Sequence, residues 1–138
     1  MRDLEVHSYY VANNSVDRPG WPALRVKSLT EARGAAQFRD EEVLPGVEDL
    51  QVEFAVESDR GSPGRSVRYV DPDSALRSAG RVVAVRIWLR IRSDTTERGY
   101  QDARRLDYAD ASFTPSPVEA AQRRALIERT VTLRNVPP

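Results

Sequence analysis

The chain has 138 residues, and its 21 lysines and arginines are balanced by 21 aspartates and glutamates, which leaves no long-range pull toward nucleic acid or anionic lipid. With no cysteine, disulfide frameworks, thiolate catalysis and Cys-based zinc sites are excluded together. At 40% hydrophobic and 30% charged residues there is material for one core, and the length suits a single domain over residues 1–138.

In chain order, Leu4 to Ala12 alternates β-branched and aromatic residues ahead of the turn-forming Asn13-Asn14-Ser15, and reads as a first strand. Arg18-Pro19-Gly20-Trp21-Pro22 is irregular, because its prolines remove donors and restrict their neighbours. Ala23 to Ser28 follows as a short second strand. From Leu29 to Val43 no clean period emerges, and Gly34 interrupts any helix.

From Val47 the period of two is clear. Leu50, Val52, Phe54 and Val56 share one side, with Gln51, Glu53, Ala55 and Glu57 on the other, as expected of a half-buried antiparallel strand. Asp59-Arg60-Gly61-Ser62-Pro63-Gly64 is a hairpin-type connection, and Val67 and Tyr69 of the returning strand are expected to point to the core. Asp71-Pro72-Asp73-Ser74 starts a turn or one helical turn that Ser78-Ala79-Gly80 closes.

Arg81 to Arg92 is the strongest strand and should be central. Val83, Val85, Ile87, Leu89 and Ile91 form its core side, whereas Ala84, Arg86, Trp88, Arg90 and Arg92 face outward. Ser93 to Ser116 is polar and turn-rich, which predicts a functional or mobile surface loop. Ser116-Pro117-Val118-Glu119 has the form of a capping box for a brief helical turn, and Leu126 to Leu133 reads as the closing strand. The expected class is therefore α+β, predominantly antiparallel β, with little helix.

Chemistry is sparse. His7 stands among apolar and aromatic residues, with no serine, cysteine and carboxylate arrangement to build around it. Gly61-Ser62-Pro63-Gly64 lacks the lysine and following helix of a phosphate loop. Asp71-Pro72-Asp73 lacks the glycine and glutamate of a calcium loop. No cofactor and no catalytic residue is expected. Arg86, Trp88 and Arg90 are the candidate partner interface, since an aromatic anchor flanked by arginines is enriched at protein contacts. The competing reading for Trp88 is cover by a second layer of the same domain. No stretch reaches the roughly 18–20 apolar residues of a membrane helix, and Met1-Arg2-Asp3-Leu4-Glu5 lacks a signal-peptide core.

Three ordered segments carry a resemblance: Leu44-Pro45-Gly46-Val47-Glu48-Asp49-Leu50-Gln51-Val52-Glu53-Phe54, the run Arg81 to Ser93, and Arg129-Thr130-Val131-Thr132-Leu133-Arg134-Asn135. With Tyr9-Tyr10-Val11-Ala12 and Pro22-Ala23-Leu24 added, the chain resembles the C-terminal β domain of PilW-type minor pilins over nearly its whole length. The acidic hairpin that relatives often carry is depleted here, as Glu57 to Gly64 keeps few carboxylates.

The resemblance implies a periplasmic domain trimmed of its prepilin leader and long apolar helix, belonging first to an inner-membrane protein and then to the pilus tip at the cell surface. It implies a non-enzymatic role in priming type IV pilus assembly, and so in adhesion and twitching motility. The implied partners are other minor pilins, a PilY-type tip adhesin and the major pilin, with no nucleic acid and no membrane contact except through the absent helix. A type II secretion minor pseudopilin similar to GspJ is the alternative.

Overall fold

The computed structural model of the chain describes residues 5–32, 34–58, 66–77 and 80–134. Alternating sequence gives strands almost throughout. Antiparallel β1 (His7–Ala12), β2 (Ala23–Ala32) and β3 (Ala35–Pro45) make one sheet in that order. A second antiparallel sheet runs β5-β4-β6-β9, from β4 (Val47–Ser58), β5 (Ser66–Val70), β6 (Arg81–Thr96) and β9 (Gln122–Thr132). A small hairpin of β7 (Leu106–Tyr108) and β8 (Ala111–Phe113) forms the third. Among the described residues helix is limited to α1 (Pro72–Arg77) and a 3-10 turn at Glu119–Ala121. The fold is thus mostly antiparallel β with little helix.

The unreadable stretch from Leu29 to Val43 is the rest of β2 and most of β3. Gly34, at φ 78, sits in the two-residue connection between the paired Ala32 and Ala35, where a positive φ is what a tight hairpin demands. It closes a hairpin rather than interrupting a helix. The proposed connection at residues 59–64 and the closing Ser78-Ala79 lie outside the described residues.

Gly46 joins the two large sheets. Its φ is 84, a side chain there would meet the Arg92 carbonyl oxygen at 2.9 Å, and Ile91 and Trp21 stand just beyond. Its N–H donates to the Pro22 carbonyl at 2.7 Å while its own carbonyl accepts from Arg92 N–H at 2.9 Å. One residue therefore bonds to the β1–β2 loop and to the central strand, so β3 can end at Pro45 and β4 begin at Val47 in a different sheet. Val47, opposite Ile91, is fully buried at this corner.

β6 is central, as its sequence requires, with β4 on one side and β9 on the other. Ser93 to Ser116 departs from the expected loop. Its first residues extend β6 to Thr96, and its second half folds as the β7–β8 hairpin with Tyr108 buried. Asp71 caps α1 through Ser74 N–H at 2.7 Å, with Pro72 in the first turn. The Ser116–Glu119 pair forms only half of a capping box: the carboxylate accepts from both Ser116 N–H (2.9 Å) and Oγ (2.6 Å), but Glu119 N–H donates to the Ser116 carbonyl at 3.0 Å instead of to its hydroxyl. It opens only the single 3-10 turn.

Candidate interaction surface

Opposed residues of an antiparallel ladder share a face, so the register of the four-stranded sheet sorts its side chains into two sets. One face carries Leu50, Val52, Phe54, Val85, Ile87, Leu89, Ile127 and Val131. The other carries Gln51, Glu53, Tyr69, Arg86, Trp88, Arg90, Arg124 and Glu128. Alternation along β6 is as the sequence predicts, but the burial of the two sides is the reverse of the expectation.

Trp88 is only 5% exposed and Ala84 is buried with it, whereas Val83, Val85, Ile87, Leu89 and Ile91 are half-buried. Val67, expected in the core, is 52% exposed, and Tyr69 is also exposed. The physical reason is the β7–β8 hairpin, which folds onto the charged face. Phe113 presents its ring to Arg90 at 3.7 Å and to Arg124 at 5.2 Å. The Tyr108 hydroxyl accepts from Arg90 Nη1 at 2.7 Å and donates to Asp49 Oδ2 at 2.6 Å. Burial, and then this hydrogen bond to Asp49, push the Tyr108 phenol up to about 12.

Glu48 organises that covered face. Its carboxylate accepts a two-pronged contact from Arg124, Nε at 2.8 Å and Nη2 at 3.0 Å, and a further bond from Arg90 Nε at 3.2 Å. Arg92 Nη1 lies 3.6 Å away. The Arg124 side chain is fully buried, and its remaining Nη1 donates to the Glu119 and Gln122 carbonyls. A fork-on-fork arginine–carboxylate contact is among the stronger hydrogen-bonded pairs, and burial makes it costly to break. Among the described residues Arg86 Nε and Arg92 Nε have no hydrogen-bond partner. The aromatic rings of Tyr69 (3.6 Å) and Trp21 (4.3 Å) take up these two cations instead.

Arg86, Trp88 and Arg90 thus share one face, as read from the sequence, but Trp88 and Arg90 serve the interior of the subunit. Arg86, paired with Glu128 at 3.5 Å, keeps more exposure. His7 is an exposed strand residue opposite Ser28. Sequence reasoning missed Glu48, Tyr108, Phe113 and Arg124. The available signal was an excess of arginine on the β6 face, which needs a buried carboxylate to hold it.

The apolar face is the open one. Ile127 and Val131 are each 48% exposed, beside Leu89 and Val85 of the central strand. Half-exposed apolar side chains on one sheet face, here with the exposed Arg129 between them, mark a surface that binds another protein segment. Among the described residues no helix is long and apolar enough to cross a membrane, and no three histidine, cysteine or acidic side chains group as metal ligands.

No curated protein and no solved structure matches the chain. The family model described as type IV pilus-assembly protein W (PilW) matches residues 8–135, which include the Gly46 corner, both faces of the four-stranded sheet and the covering hairpin. The chain belongs to the type IV pilus-assembly protein W family.

Proposed function

We propose that the chain is the single, non-enzymatic periplasmic domain of a minor pilin that helps prime type IV pilus assembly and then sits in the tip complex. Its partners there are other minor pilins, a PilY-type adhesin and the major pilin. The supporting observation is the open apolar face, with Ile127 and Val131 half exposed on a sheet whose charged face is covered from within. A sheet with one bare apolar face is half of a two-layer structure. The element that best completes it is an amphipathic segment of a pilus partner, which lays its apolar side on the patch. Family membership favours the pilus over the secretion machine.

Size-exclusion chromatography of the domain mixed with soluble domains of its candidate minor-pilin partners tests the reading. Co-elution that is lost in Ile127→Lys or Val131→Lys, with an unchanged melting temperature, is the expected result. Failure to co-elute with any minor pilin or adhesin domain would remove it.

A further inference from the structure

β9 is the end strand of the four-stranded sheet, and its outer edge is treated in two different ways along its length. Leu133 N–H donates to the Val83 carbonyl at 2.9 Å, and Ala84 lies opposite Thr132. In an antiparallel ladder this assigns the odd-numbered residues of β9 to bonds with β6 and turns the even-numbered backbone outward.

At the start of the strand those outward groups are used. The Arg124 carbonyl accepts from Arg104 Nη2 at 2.8 Å, and Arg124 N–H donates to the Asp102 carboxylate. Asp102 and Arg104, joined to each other at 2.9 and 3.0 Å, stand in for a neighbouring strand at that one residue. Beyond it, the outward N–H and C=O groups of Leu126, Glu128, Thr130 and Thr132 have no partner among the described residues. β-proteins usually blunt such an edge with charge, proline or a bulge. Here the register to β6 is regular from Arg124 to Thr132, and Ile127 and Val131 flank it on the apolar side.

Arg129 lies between those two, exposed, opposite Ile87, and with no carboxylate partner among the described residues. Arg123 is taken by Glu97 and Glu128 by Arg86. The uncompensated charge of the edge is therefore positive, set in an apolar–cationic–apolar row. A second copy pairing β9 to β9 would bring like charges together, which disfavours it.

We propose that the β9 edge from Leu126 to Thr132 receives an extended acidic segment of a partner protein as a fifth antiparallel strand. Its apolar side chains lie beside Ile127 and Val131, and a carboxylate reaches Arg129. The added main-chain bonds supply affinity and the side-chain alternation supplies selectivity. This rests on the assembly reading and deepens it by naming a second mode of contact, along the backbone edge that borders the apolar face.

The probe is a fluorescent synthetic peptide, Thr-Val-Thr-Glu-Thr-Val-Thr, whose Val, Glu and Val share one face of an extended strand, compared with the same peptide carrying lysine for glutamate. Anisotropy should show the acidic peptide binding about tenfold or more tightly than the basic one, and Arg129→Glu should invert the preference. Hydrogen exchange should slow at Leu126, Glu128, Thr130 and Thr132. Thr130→Pro, which removes an outward donor and none of the bonds to β6, should abolish that protection with folding intact. Equal binding of the two peptides, protection elsewhere, or concentration-dependent self-association through β9 would each overturn the proposal. If minor-pilin domains co-elute with wild type and Thr130→Pro alike and neither peptide binds, the edge assignment fails while the assembly reading stands.

Discussion

The two faces of the four-stranded sheet make opposite uses of their residues. The charged face is covered within the subunit around Trp88, Arg90 and Arg124, with Tyr69 and Glu128 exposed at its margins, while the face rich in valine, leucine and isoleucine is left half open. Ordinarily the apolar side would be interior and the charged side solvated. The inversion holds because the charges are not isolated: one buried glutamate is shared by three arginines, and aromatic rings cover the cations. Charge can be interior where it is fully paired, and an apolar face can be exterior where a partner is to cover it.

The sharpest way to break this comparison is Glu48→Ala. It leaves Arg90, Arg92 and the fully buried Arg124 without their shared carboxylate, and removal of one partner from a buried ion pair costs about 3–5 kcal/mol. Chemical denaturation should show a loss of that order, whereas a loss below about 1 kcal/mol would mean the cluster is solvated.

Next in size, Trp88→Ala should cost about 3 kcal/mol or more as a buried aromatic truncation. Ile127→Ser, on the open face, should stay within about 1 kcal/mol and act instead on partner binding. Equal losses in the two variants would erase the distinction between the faces. Gly46→Ala tests the corner that sets the sheets relative to each other. A left-handed φ and a contact with the Arg92 carbonyl should together cost about 1–3 kcal/mol, readable as a lower thermal midpoint.

The smallest effect is pH-dependent. The Arg104 guanidinium, helped by the Arg104 and Arg124 backbone N–H groups and opposed by burial, holds Asp102 down at about 2. Because the unfolded aspartate titrates near about 3.9, its contribution is fully present above that value and is lost as the pH falls through 4 toward 2. Asp102→Asn should lower stability at neutral pH, where the carboxylate's contribution is fully present, and flatten the acid limb, so that variant and wild type converge as the pH falls toward 2. An unaltered acid limb would place the carboxylate outside the folded network.

Much of this architecture is legible in residue order. The period of two in Leu50 to Val56 and in Val83 to Ile91 yields β4 and β6, and the Pro45-Gly46 pair sits where one sheet gives way to the next. The β7–β8 hairpin was concealed because its turn is Ala109-Asp110, with Ala109 at φ 49. The Asn-Gly or Asp-Gly pairs that usually announce such a turn are absent there. Glu48 and Arg124 are 76 positions apart, beyond the reach of any local pattern.

By itself, the sequence determined strand type, the central place of β6, the alternation of side chains, the capping pairs and the resemblance to pilus-assembly proteins, since all of these follow from neighbours along the chain. Tertiary structure alone decided which side of the central strand is interior. Alternation defines two faces without ranking them, and the ranking depends on where a distant hairpin lands and on whether a buried carboxylate is there to hold the arginines beneath it.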